Sequence, residues 1–256
     1  MKKTPITPDL SKIPQPFHSL IKGAAVYDSS CSPVAQVLFI DKEGGYYLKT
    51  APDLSREAAM TRFYHKRGMA AEVVAYLKQE KDWMLTRAIP GDDCTHYLNQ
   101  PKMLCDTLGT LLRELHESDT AGCPVPNRME TYLATAEQGY RQGKFDTETF
   151  PDHPFQDAKD AYTILKQGKN LLKQDALLHG DFCLPNVILH HGKFSGLIDV
   201  DGGGVGDRHI DLFWGIWSLA YNLKTKTFTD RFLDAYGRDK IEPERLKIIA
   251  AAEMFG

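Results

Sequence analysis

The periodicity of apolar residues changes once along the chain, at Ile89-Pro90-Gly91, and that change limits the folds it can adopt. Before it, β-rich runs recur between polar turns: Val26-Tyr27, Val37 to Ile40, Tyr46 to Lys49, Val73 to Leu77 and Trp83 to Thr86. Gly44-Gly45 turns the second run back into the third, and the charged stretch Lys78 to Asp82 separates the last two. One helix interrupts them. Ala58, Ala59, Met60, Phe63 and Tyr64 fall at helical spacing, with Asp53 or Ser55 to cap them and Gly68 to end them. After the break, Leu104, Leu108, Leu111, Leu112 and Leu115 mark one helix face, and helical patterns return at about 128–142, 155–167, 208–222, 228–236 and 243–255. The expectation is an α+β chain. Residues 1–86 form a small antiparallel sheet lobe with one helix, 87–91 a hinge, and 92–256 a larger, mainly helical lobe.

Charge and composition narrow the function. A net charge of −3 over 256 residues is a poor match to a duplex nucleic-acid binder, whose affinity comes from neutralising phosphates. The longest apolar stretch, Leu212 to Tyr221, is about half of what a membrane span requires. The N-terminal residues are basic but lack the apolar core of a secretion signal. Five cysteines, odd in number and without a C-x-x-C pair, suggest neither a disulfide framework nor a zinc site. A soluble, cytoplasmic protein acting on a small molecule, monomeric or dimeric, is expected.

The chemistry concentrates in Leu177-Leu178-His179-Gly180-Asp181-Phe182-Cys183-Leu184-Pro185-Asn186-Val187-Ile188-Leu189, followed by Gly196-Leu197-Ile198-Asp199. Alone, an Asp in a Gly-rich loop is a turn former and an Asn beside Pro a cap. Together, with one short apolar strand after Asn186 and a second, Gly196-Leu197-Ile198, ending at Asp199, they suit phosphoryl transfer from a metal nucleotide to a hydroxyl. That reaction asks a protein mainly for positioning and charge neutralisation. Asp181 suits the carboxylate that takes the hydroxyl proton; Asn186 and Asp199 suit the oxygen ligands that hard Mg²⁺ prefers.

This segment resembles the catalytic loop of the protein-kinase-like phosphotransferases, specifically the aminoglycoside 3'-phosphotransferase family. Gly206-Asp207-Arg208-His209-Ile210-Asp211-Leu212, the helix Leu111 to His116 followed by Cys123-Pro124, the hinge-like Trp83 to Gly91 and the closing Pro243 to Phe255 are similar to family motifs in the same order. The resemblance implies a bilobal protein-kinase-like fold binding ATP and Mg²⁺. It places a nucleotide-binding lysine at Lys49, paired with Glu57, and a phosphate-covering turn from Ser29 to Ser32, with Ser30 and Ser32 as binding residues. Adenine would meet the hinge near Thr86 and Ala88. An acidic acceptor pocket would draw on Asp146, Glu148, Asp201 and Glu253. The sequence departs from the family where Asp201-Gly202 stands for Gly-Arg, where Tyr221-Asn222 replaces an acidic pair, and at Ala252.

The expected activity is ATP-dependent phosphorylation of an aminoglycoside at its 3'-hydroxyl, giving resistance. A kinase of another hydroxylated amine or sugar is the near alternative. A metal-dependent hydrolase using His179, Asp181, Asp199 and Asp201, or a nucleotide-binding pseudokinase, are the more distant ones.

Overall fold

The computed structural model describes residues 3–31 and 34–256, so Ser32 lies outside the described residues. The chain forms two compact units, Met1–Cys94 with Pro185–Asp201, and Thr95–Leu184 with Gly202–Gly256. The segment 185–201, which the sequence reading leaves with the helical part, belongs to the first unit.

Strands β1 to β11 are Thr4–Ile6, Ala25–Asp28, Gln36–Asp41, Tyr46–Ala51, Val73–Leu77, Asp82–Arg87, Asp92–Asp93, Ala176–Leu178, Val187–His190, Lys193–Leu197 and Gly204–Gly206. Helices α1 to α8 are His18–Ile21, Ser55–His65, Pro101–Glu117, Arg128–Arg141, Ala158–Gly168, His209–Leu223, Thr229–Tyr236 and Pro243–Glu253. Fold class and the long elements agree with the sequence reading. The additions are short strands, above all β1, which pairs with the edge of the sheet through β2, and the four-residue helix α1, where one helix was expected in this part of the chain.

In the first unit a six-stranded antiparallel sheet has the order β1-β2-β3-β4-β6-β5. Two-residue alternation gives its faces different work. Val26, Leu38, Ile40, Tyr46, Leu48, Trp83 and Leu85 pack with Ile13, Phe17 and Ile21 into a core on one side. The intervening residues Val37, Tyr47, Lys49, Met84 and Thr86 line a cavity instead. The register sets Val37, Lys49 and Met84 side by side across three strands. Before helix α2 the Asp53 carboxylate accepts the Ser55 amide at 2.7 Å in a local turn, but the N-cap position is Leu54 with no side-chain cap, so neither Asp53 nor Ser55 is the helix cap that the sequence suggested. The hairpin β9–β10 turns at His191-Gly192, with His191 at φ 52°, and ends on the pair Val187 and Leu197. Asn186 and Asp199 therefore emerge at the same end of one hairpin.

In the second unit the leucine face of α3 is buried, with Leu104, Leu112 and Leu115 fully so. The two-stranded ladder β8–β11 pairs Leu178 with Gly204 and Ala176 with Gly206, which fixes the start of the loop that follows β8. A second core gathers Leu165, Ile248, Ile249 and Phe255 around α5 and α8. Among the described residues no helix is long and apolar enough to cross a membrane. Truncating a fully buried leucine leaves a cavity as well as losing transfer energy. Leu112→Ala is expected to destabilise the protein by about 3 kcal/mol, read as a shift in the urea midpoint.

Candidate active site

In the first unit one cavity collects Lys49 and Tyr47 from β4, Glu57 and Thr61 from α2, Met84 and Thr86 from β6, and Asn186, Ile198 and Asp199 from the hairpin ends. The Lys49 ammonium donates to Glu57 Oε1 at 2.8 Å and to Asp199 Oδ1 at 2.6 Å. Burial opposes its charge, yet the Asp199 and Glu57 carboxylates outweigh burial and hold its pKa above the ordinary lysine value. Burial in turn pushes the Glu57 carboxyl up, with Lys49 pulling the other way. Glu57 is almost fully enclosed, whereas the Asp199 side chain is 52% exposed, so the lysine joins a fixed acid to an accessible one. Asp199 holds φ 54°, a left-handed backbone that Asp tolerates better than most residues.

Among the described residues no cluster of three or more His, Cys, Asp or Glu could hold a metal. The Asp199 carboxylate and the Asn186 amide, on the wall of one cavity, form a sparse oxygen set. That set suits a hard cation that keeps several waters. The amide N–H of Ile198 donates to the Asn186 carbonyl at 3.0 Å, which ties the two ends together.

The turn between β2 and β3 behaves differently from the expectation for Ser30. Its hydroxyl donates to Asp28 Oδ1 at 2.6 Å and accepts the Val37 amide at 2.9 Å, so it holds the turn itself. The neighbour Ser29 lines the cavity with a buried hydroxyl that has no hydrogen-bond partner among the described residues. Thr86 also lines the cavity. Ala88 does not, and its amide donates to the Gly45 carbonyl at 3.0 Å.

In the second unit the loop after β8 hangs on one face of α6. Asp211 Oδ2 accepts the His179 amide and Oδ1 the Gly180 amide, each at 2.7 Å. One seven-residue step along, Ser218 Oγ accepts the Leu184 amide at 2.9 Å. Behind Asp211, His116 Nε2 lies 3.2 Å from Oδ2 and its Nδ1 2.8 Å from the Tyr236 hydroxyl. Burial lowers the His116 pKa, so the neutral imidazole donates to Asp211 and accepts from Tyr236. The Tyr236 oxygen then accepts from Arg208 at 3.3 Å. Within the loop, His179 Nδ1 accepts the Asp181 amide at 3.2 Å, a loop-stabilising role. Gly180 sits at φ 85°, and a Cβ there would lie 1.9 Å from the Gly202 carbonyl oxygen. Only glycine fits this crossing.

Asp181 opens into a second cavity, lined also by Cys183, Arg128, Tyr132, Trp214, Trp217 and Glu253. Tyr132 donates to Glu253 Oε1 at 2.8 Å, and burial pushes the Glu253 carboxyl up to about 7. Arg128 Nε donates to the Gly202 carbonyl at 2.7 Å, so a guanidinium from α4 reaches the position where the family resemblance expects an arginine. Of the expected pocket acids, Glu253 lines this cavity, and the other three are placed elsewhere. Asp201 is held by Arg56 in a two-pronged ion pair of 3.0 and 2.5 Å within the first unit. Asp146 caps its own turn by accepting the Thr149 amide at 2.9 Å, and Glu148 is exposed.

Asp211, Ser218 and Arg128 have no role in the sequence reading, because each acts through backbone groups or spatial neighbours, whereas Ser29 opens the turn expected to cover the phosphates. Asp211→Asn replaces one acceptor of a buried amide by a donor. It is expected to cost about 3 kcal/mol in stability and to lower turnover more than tenfold, which denaturation and initial rates would check together.

A family model for the phosphotransferase enzyme family matches residues 35–249. A probable aminoglycoside 3'-phosphotransferase of Lactococcus lactis subsp. lactis (strain IL1403) is 45% identical over 253 residues, covering 97% of each chain. An aminoglycoside 3'-phosphotransferase of Streptomyces fradiae is 26% identical over 91% of each chain. Among solved structures, an aminoglycoside-3'-phosphotransferase of type VIII superposes with a TM-score of 0.69 at 25% identity, over 86% of this chain and 88% of that one. A Streptomyces rimosus aminoglycoside phosphotransferase bound to ADP and streptomycin shares the fold, with a TM-score of 0.68 at 18% identity over 98% of this chain and 100% of that one. With a kinase-like α+β fold and this extent of similarity, the chain is an enzyme that belongs to the aminoglycoside phosphotransferase family.

Proposed function

We propose that the protein transfers the γ-phosphoryl group of ATP to the 3'-hydroxyl of an aminoglycoside and so confers resistance. The observation that carries this reading is the Lys49 ammonium held between buried Glu57 and accessible Asp199 in a cavity that also contains Asn186. A fixed point charge beside oxygen ligands is what a polyphosphate tail requires. Lys49 binds the α- and β-phosphates, with Glu57 holding its position, and the unpartnered Ser29 hydroxyl donates to a phosphate oxygen. The apolar wall made by Met84 and Ile198, with Thr86, takes the adenine. Asp199 and Asn186 would hold Mg²⁺, which when bound neutralises phosphate charge.

Asp181 lies on the same stretch of chain as Asn186, five residues before it, and lines the acceptor cavity. It accepts the proton of the attacking hydroxyl as the oxygen–phosphorus bond forms and the bond to the β-phosphate oxygen of ATP breaks. ADP and a phosphate monoester leave. Asp211 and Ser218 act through the loop amides to keep Asp181 in place. The names carried by the bacterial relatives support the aminoglycoside and its 3'-hydroxyl as the acceptor.

ADP release from Mg-ATP, measured with aminoglycosides that have or lack a 3'-hydroxyl, tests this reading. Turnover confined to the 3'-hydroxyl compounds is expected. Asp181→Ala should lower the rate by about 10³-fold while sparing nucleotide affinity, since positioned proton transfer contributes roughly 10²–10⁴-fold. Asp199→Ala should weaken Mg-ATP binding itself. Wild-type turnover by the first variant, or unchanged nucleotide affinity in the second, overturns the assignments.

Glu253 adds a pH dependence. Its carboxyl is raised to about 7, so it is neutral below that pH and anionic above it. Affinity for an aminated acceptor should therefore rise through this range, by about fivefold for one ion pair worth ~1 kcal/mol. The KM profile should flatten in Glu253→Gln.

A further inference from the structure

The second cavity is poorly furnished for a highly charged cation. Its lining side chains include two carboxylates, Asp181 and Glu253, and one guanidinium, Arg128. Burial keeps Glu253 partly protonated near neutral pH. Where the family resemblance leads one to expect an acidic pair, Tyr221 and Asn222 stand on α6, and the Asn222 amide donates back to the Ser218 carbonyl at 2.8 Å.

Aromatic surface takes the place of charge. Trp214 and Trp217, one helical turn apart, both line the cavity. Their rings meet edge to face with centroids 5.5 Å apart, and Trp217 stacks on Tyr221 at 5.0 Å and 15°. The Trp217 indole N–H is committed to the Thr149 carbonyl at 3.1 Å, so that indole offers a ligand mainly ring surface. The Lys224 ammonium lies 4.1 Å over the Tyr221 ring, so the outer end of the stack carries a positive charge that repels further cations.

We propose that Trp214, Trp217 and Tyr221 form an acceptor platform that selects an aminated sugar of low positive charge through its apolar ring face, with Glu253 reading a single amine. This rests on the reading of the second cavity as the acceptor site. The C–H face of a pyranose packs on an indole as other apolar surfaces do, and an ammonium near the ring gains a cation–π attraction. Neither contribution needs a dense array of carboxylates, and neither is strongly screened by salt.

Neomycin and paromomycin test the platform, because they share a scaffold and a 3'-hydroxyl but paromomycin has one amine fewer. Steady-state kinetics should give paromomycin a KM no higher than that of neomycin. Raising NaCl from about 0.05 to about 0.5 M should change the paromomycin KM by less than about threefold, since contacts made by ring faces escape Debye screening. Trp217→Ala should raise KM for both by about tenfold, the equivalent of ~1.4 kcal/mol, with the loss appearing in KM rather than kcat. Trp217→Phe should recover most of it, which a merely structural role would not do.

A KM unchanged in Trp217→Ala overturns the platform, as does a strong preference for neomycin that collapses with salt. Should the wild type phosphorylate neither compound, saturation-transfer NMR of paromomycin and glucosamine separates the two failures. Binding that depends on Trp217 then keeps the platform and discards the aminoglycoside reaction; absence of binding discards the platform.

Discussion

A single carboxylate carries the geometry of the loop that holds Asp181, the proposed catalytic residue. Asp211 is fully buried, and its two oxygens accept the amides of His179 and Gly180 while His116 approaches from behind. Charge-assisted hydrogen bonds of this kind are about twice as strong as neutral ones, and leaving either amide unpaired in the interior would be costly. Ser218 repeats the device for Leu184 on the same helix face. The loop is thereby suspended from α6 at both ends, and the residues between, Asp181 among them, inherit their placement from a helix rather than from their own packing.

The cavity of the first unit, the proposed nucleotide site, depends on a simpler rule. Strands that bury every second residue must turn the others to the opposite face, and the register then sets which of those lie side by side. Lys49 is flanked by Val37 and Met84 for that reason. The hairpin β9–β10 brings Asn186 and Asp199 together by an equally generic constraint, because an antiparallel pair returns the chain to where it began. The chemistry is specific, but the means of assembling it belong to any sheet.

These rules explain what could be read from the sequence. The strand and helix periods located nearly every long element, and the spacing of Asp181, Asn186 and Asp199 is what pointed to phosphoryl transfer. The strand β1 was not legible, being three residues long with a proline at its centre, and it owes its existence to the edge it covers. Nor was the fate of the acidic residues. Asp201 and Asp146 have the right chemistry for a cationic pocket, but their partners, Arg56 and the Thr149 amide, are set by three-dimensional neighbours that no local pattern records. Ala88 was chosen for its backbone, and a backbone hydrogen bond to Gly45 leaves no mark on side-chain identity.

The crossing of Gly180 and Gly202 has a consequence for how this chain can change. A Cβ at residue 202 would lie 2.8 Å from the Gly180 backbone, and backbone held by Asp211 cannot step aside cheaply. An arginine placed there by one substitution would meet that obstruction and also the Arg128 side chain already bonded to the Gly202 carbonyl. The two glycines therefore tie their positions together: a side chain at either one requires the other strand of the crossing to move, and a guanidinium at 202 would compete with the one that α4 already supplies.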